Sequence, residues 1–128
     1  MTSTEELVRV FLDAVEAQDL DAVLGCFATE ATWQNVPHPP ARGPEGIRAM
    51  LKPILTRSSR VRWDIVTAAY HDDRAWLERV DRFWIDGREY SARCNGVIER
   101  EPGTGLILAF RDYVDLGEWR ARLGDVDL

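Results

Sequence analysis

Apolar residues recur at helical spacing through the first part of the chain. Ser3 and Glu6 have capping-box spacing, and Leu7, Val10, Phe11 and Ala14 follow on one stripe, which predicts an amphipathic helix over 4–17. Asp19 opens a short second helix carrying Leu20, Val23 and Leu24 and ending near Gly25. A strand is expected over 31–36. The three prolines of Pro37-His38-Pro39-Pro40 end it, because proline brings no ladder donor. Gly43-Pro44-Glu45 starts a third helix with proline in its first turn. Ile47, Met50, Leu51, Ile54 and Leu55 form its apolar stripe, and Pro53 is expected to kink it.

From Val61 the period changes to two. Strands are predicted over 62–70, 74–85, 88–100 and 106–114. His71-Asp72-Asp73, Asp86-Gly87 and Pro102-Gly103-Thr104-Gly105 are the turns between them, and Asp-Gly is a strong hairpin signal. Asp115 and Glu118 cap a last short helix through Arg120. Helices first and antiparallel strands after make an α+β pattern, with a curved antiparallel sheet packed on the helices and a pocket between the layers.

Length and charge narrow the range of functions. The 128 residues predict a single domain spanning 1–128. A net charge of −6 argues against nucleic acid, and equally against an anionic membrane surface, since both need a basic face. Two cysteines, Cys26 and Cys94, and two histidines, His38 and His71, support neither a disulfide framework nor a zinc cluster. No apolar run reaches the ~18 residues of a membrane span. The acidic start lacks a signal-peptide core, so a soluble cytoplasmic protein is expected.

The strands carry charge where apolar side chains should be. On 74–85 one face holds Leu77, Arg79, Asp81, Phe83 and Ile85. On 106–114 strict alternation groups Leu106, Leu108, Phe110, Asp112 and Val114 on the face most suited to burial, with Ile107, Ala109, Arg111 and Tyr113 opposite. A lone carboxylate there costs several kcal/mol, so Asp112 needs a partner, and Arg79 and Asp81 can supply one. One guanidinium between two carboxylates leaves one acid ionised and raises the pKa of the other, which suits concerted acid–base chemistry. The same residues could equally do no more than pin the register of the sheet.

Three segments carry a resemblance. Trp33-Gln34-Asn35-Val36-Pro37-His38-Pro39-Pro40, Glu78-Arg79-Val80-Asp81 and Arg111-Asp112-Tyr113-Val114-Asp115-Leu116 resemble limonene-epoxide hydrolase and its relatives in the SnoaL-like, nuclear-transport-factor-2-like superfamily. The resemblance implies a cone-shaped α+β barrel, its curved, antiparallel or mixed sheet wrapped around N-terminal helices, with a deep apolar pocket. It implies Asp112 as the base that deprotonates water, Asp81 as the acid that protonates the epoxide oxygen, Arg79 as the bridge and Asn35 as a holder of the water. The implied reaction is a one-step hydrolysis to a vicinal diol with no cofactor and no metal. Its partners would be a small apolar epoxide and water, and the protein would be a homodimer, with Tyr113, Ile107 and Trp84 as candidate contacts.

One departure concerns the water site. The family usually has Tyr where this chain has Trp33, and an indole only donates a hydrogen bond. Trp33 therefore either donates to the water or is simply a wall. Strand faces add Tyr90, Ala92 and Cys94 as pocket-lining residues, beside Leu77, Phe83, Leu108, Phe110 and Val114. Cys94 reads as a small apolar filler and His38 as a loop residue. No Gly-x-Ser-x-Gly elbow is present. Two rival functions remain: an isomerase or polyketide-cyclase-like enzyme using a single Asp base, and a non-catalytic ligand-binding module.

Overall fold

The computed structural model describes residues 2–128. Helix α1 (Thr4–Glu16) begins where Ser3 accepts a hydrogen bond from the Glu6 amide at 3.1 Å, and α2 (Leu20–Gly25) where Asp19 does the same for Ala22. Strand β1 (Phe27–Val36) leads to the two-residue strand β2 (Ala41–Arg42) and helix α3 (Gly43–Arg57). Strands β3 (Arg60–Tyr70), β4 (Arg74–Ile85), β5 (Arg88–Arg100) and β6 (Ile107–Val114) follow, and α4 (Leu116–Leu123) comes last, capped by Asp115. The α+β expectation holds. Pro53 stays inside α3 because it lies on the solvent side, where the Ala49 carbonyl it leaves without a donor is also exposed.

The six strands form one curved, mixed sheet in the order β2-β1-β6-β5-β4-β3. β1 runs parallel to β6 and every other pair is antiparallel. The sheet does not close: β2 and β3 are its edges, so the cone is open rather than a complete barrel. Asp86 and Gly87, both at positive φ, make the tight turn between β4 and β5 that the Asp-Gly pair predicts. The core draws Val8, Phe11 and Val15 from α1, Ile47 and Leu51 from α3, and the inward faces of the strands. Among the described residues no helix is long and apolar enough to cross a membrane.

Two irregularities separate the strands from their predicted form. β1 starts four residues earlier than expected because Phe27 and Ala28 are buried in succession and the pairing with β6 shifts before Thr32, which hides the period of two. In β6 the pairing with β5 shifts between Glu99 and Arg100, so that Glu99 faces Ala109 but Arg100 faces Ile107. Leu108 is the extra residue of this bulge. Ile107 therefore turns into the core, while Leu108 is 36% exposed. Strict alternation places both on the wrong side: Leu108 is no pocket wall, and Ile107 is no outward contact.

Candidate active site

The inward face of β4 is Ala75, Leu77, Arg79, Asp81, Phe83 and Ile85, all buried, and the alternation that predicts this is unbroken. Register carries it into the neighbours. Arg79 lies opposite Cys94 and Asp81 opposite Ala92 on β5, Gly96 lies opposite Asp112 on β6, and Asp112 lies opposite Asn35 on β1. Asp81, Arg79 and Asp112 thus project into one space from two strands separated by β5. Gly96 makes the crossing possible. A Cβ there would lie 2.5 Å from Arg79 Nη1 and 2.9 Å from Asp112 Oδ1.

The guanidinium bridges both acids. Arg79 Nε and Nη2 donate to the two oxygens of Asp81, each at 2.9 Å, and Nη2 also donates to Asp112 at 2.9 and 3.1 Å. Burial opposes the charge on Arg79, but the two carboxyls outweigh it and hold the guanidinium protonated well above its ordinary value. Its Nη1 is buried without a hydrogen-bond partner. The faces of Trp63 and Phe110, 4.9 and 5.3 Å from the guanidinium carbon, offset part of that loss through cation–π attraction.

Asp112 is 4% exposed, and burial pushes its carboxyl up to about 6 against the pull of Arg79, with the Asp81 charge adding to the rise. A proton held there at mildly acidic pH is a usable acid. Trp33 lies beside it. Its indole N–H meets no acceptor in hydrogen-bond geometry, yet is near enough to Asp112 to favour the ionised carboxyl. The ring itself is a core element, stacked on Phe110 at 4.7 Å and on Phe27 at 5.6 Å. Asn35 reaches the site from the same strand, and its amide is held only by a 3.8 Å contact to the sulfur of Met50.

These groups open onto a largely apolar cavity of about 200 Å³. Of the residues expected there, Trp33, Asn35, Asp81, Phe83, Ala92, Cys94, Asp112 and Val114 line it. Four do not. Leu108 is turned away by the bulge. Leu77 faces inward but belongs to the sealed core, one step along β4 beyond Arg79. Phe110 is wholly buried beneath Arg79 and forms the floor under the trio. Tyr90 shares the face of Phe83 but lies at the sheet end, beside Arg88 and outside the cavity.

The missing walls come from other elements. Met50, Leu51 and Ile54 arrive from the α3 stripe, Trp63 from β3, and Leu116 and Trp119 from α4. The α3 stripe and the buried alternation of Val61 and Trp63 are legible as apolar surface, but nothing in the pattern ties them to this cavity. His38 is a loop contact, its Nε2 at 2.9 Å from Arg120 Nη2. Cys94 exceeds its expected part: the sulfur lies 3.1 Å from Arg79 Nη2 and 3.4 Å from Asp81 Oδ2. Among the described residues no cluster of His, Cys, Asp and Glu has the arrangement to hold a metal ion.

Residues 8–109 match the family described as SnoaL-like domain. Among solved structures, an epoxide hydrolase of M. tuberculosis described as LEH-like is similar at 24% identity and a TM-score of 0.72, over 92% of this chain and 86% of that one. A putative polyketide cyclase from Xanthomonas campestris shares 20% identity at a TM-score of 0.78, over 94% and 96%. A hypothetical protein from Catenulispora acidiphila with a ketosteroid isomerase-like fold also shares 20% at 0.78, over 96% and 95%. At these identities the likeness establishes the fold.

Proposed function

The chain belongs to the SnoaL-like domain family, and we propose that within it this protein is an epoxide hydrolase, adding water to a small apolar epoxide to give a vicinal diol. The observation that carries this reading is the buried Asp81–Arg79–Asp112 trio, whose two carboxyls face an apolar cavity while the guanidinium joins them from behind. Epoxide opening needs a base to take a proton from water and an acid to supply one to the departing oxygen. The water oxygen bonds to a ring carbon as the carbon–oxygen bond of the ring breaks. One carboxylate gains a proton and the other carboxyl loses one, so the charge of the pair is unchanged, and passing that proton back restores the starting protonation. Arg79 stays charged throughout and keeps the pair from being neutral at once. The reaction calls on no cofactor.

The cavity suits a substrate of about one ring, because at 200 Å³ it is smaller than the ~300–1,000 Å³ typical of drug-sized ligands. Its walls are indole, phenyl and aliphatic side chains, which favour an apolar body around the polar epoxide. A homodimer through the outer sheet face completes the proposal, since Trp76 and Tyr113 are 44% and 49% exposed there.

A second reading has two observations in its favour. Trp33 cannot accept a hydrogen bond from a water, and Asp112 carries a raised pKa, which is what an isomerase or polyketide-cyclase-like enzyme with a single acid–base Asp would need. Turnover of a panel of one-ring epoxides in ¹⁸O-labelled water separates the two. Hydrolysis places one label in each diol, and Asp81→Asn and Asp112→Asn each abolish it while the circular dichroism spectrum is kept. Unlabelled isomeric products, or activity surviving in Asp81→Asn, would overturn the hydrolase reading. Binding of the panel without turnover would identify a ligand-binding module instead.

A further inference from the structure

We propose that the cavity selects an aromatic ring, so that the substrate class is an aryl epoxide with one phenyl-sized ring joined directly to the oxirane. This rests on the reading of Asp81 and Asp112 as the pair that opens the epoxide, and it names the group that the other walls hold.

Four of those walls form one aromatic series, Trp33, Trp63, Phe83 and Trp119. Trp33 and Trp63 are 6.1 Å apart with their planes at 88°, Trp63 and Phe83 6.2 Å apart at 81°, and Phe83 and Trp119 5.7 Å apart at 54°. Neighbouring rings are turned across one another, so the series offers the cavity both rims and faces. An aromatic ring is negative on its face and positive at its rim, and a guest ring lying against two of these side chains gains edge-to-face contact. A saturated ring has no such quadrupole and gains only burial. Met50, reaching the cavity from α3, adds to the bias, because a thioether sulfur is attracted to aromatic rings. Trp119 is not there to build the core. Helix α4 contributes no buried residue, yet its tryptophan lies against Phe83 and the cavity.

Register puts the series where the substituent of the epoxide must go. Trp63 lies directly opposite Asp81 across β3 and β4. Phe83 follows Asp81 on the same inward face, about 7 Å further along the strand. Trp119 then stands on Phe83. An oxirane whose oxygen meets the two acids therefore carries its substituent toward Phe83 and Trp119. That spacing matches a ring bonded directly to the oxirane, whereas a spacer of several carbons would carry the ring beyond Phe83. The volume of about 200 Å³ leaves room for one ring.

The test compares two rings of like shape. Phenylethanediol and cyclohexylethanediol, the hydrolysis products of phenyloxirane and cyclohexyloxirane, are titrated into the full-length chain and followed by tryptophan fluorescence and calorimetry. Neither diol has a reacting bond, so the benzylic reactivity of the aryl epoxide does not enter. The cyclohexyl group carries more apolar surface, and burial alone favours it; the aromatic series reverses that order. The expected result is about tenfold tighter binding of the phenyl diol, the scale of one or two edge-to-face pairs. Phe83→Leu and Trp119→Leu should each cut that preference severalfold. Trp119→Leu lies outside the core and keeps the test decisive if Phe83→Leu fails to fold. Equal or tighter binding of the cyclohexyl diol by wild type, or an undiminished preference in folded Trp119→Leu, overturns the proposal. Turnover then separates it from the hydrolase reading. Hydrolysis of both epoxides with cyclohexyloxirane the better substrate would sink the aryl assignment alone. Phenyl-selective binding with neither epoxide consumed would sink the hydrolase reading and leave the aromatic-ring site standing.

Discussion

Replacing Asp112 by asparagine removes a carboxyl that burial raises from an ordinary 3.8 to about 6. In the unfolded chain that carboxyl loses its proton near the lower value, and in the folded chain near the higher one. Between the two, the folded state binds more protons, so wild-type stability falls as pH rises. The contribution is fully present only below about pH 3 and gone above about pH 7, a total loss of about 3 kcal/mol at ~1.4 kcal/mol per pKa unit. The asparagine variant has nothing to ionise at this position and lacks the slope. Other carboxyls tilt the opposite way: Asp64, hydrogen-bonded by Arg62, and Asp86, hydrogen-bonded by Arg57, are both lowered. They are common to both proteins and cancel in the difference. Urea unfolding followed by tryptophan fluorescence at fixed protein concentration, from pH 4 to 8, measures that difference. Wild type should lose about 2.5 kcal/mol relative to Asp112→Asn across this range, since part of the loss already lies below pH 4. A difference that stays flat, or that grows with pH, would refute the burial argument.

Two further outcomes follow from the same geometry. If the singly protonated pair is the active form, kcat/KM for an epoxide is retained below about pH 6 and falls tenfold per pH unit above it, as measured by a pH–rate profile; a rate that rises through pH 6 contradicts this. Gly96→Ala should destabilise the fold by about 1–3 kcal/mol and depress activity, since the new Cβ would lie 2.5 Å from Arg79 Nη1 and 2.6 Å from Phe110; Gly25→Ala, where nothing lies within 4 Å, is the control in the same urea experiment.

The inward charge of β4 is readable from sequence because its alternation runs without interruption from Ala75 to Ile85. Asp112 is placed correctly for the same reason: beyond the bulge β6 keeps phase from Phe110 onward, so its burial and its need for Arg79 can be inferred. Ile107 and Leu108 fail because an extra residue leaves no compositional mark when both neighbours are aliphatic. Leu77, Phe110 and Tyr90 fail differently. Their faces are right, but a face says nothing of how far along the strand the cavity reaches. Trp63, Met50 and Trp119 belong to elements whose approach to the site is set by the curvature of the sheet, which no local pattern encodes. Cys94 is the sharpest case: by composition it is an apolar filler, and only its cross-strand register with Arg79 brings the sulfur to 3.1 Å from the guanidinium.

The bulge at Leu108 gives β6 a spare residue between its two halves. Excising Leu108 would leave Ile107 inward, Ala109 outward and Phe110 inward, a regular strand with Asp112 still aimed at Arg79. Excising Ala109 instead would slide Leu108 into the vacated outward place, with the same result. Losing Arg111 would rotate the acid out toward solvent. The strand thus carries a tolerance for shortening before Phe110 and none beyond it, so length variation in this hairpin can be absorbed without moving the chemistry.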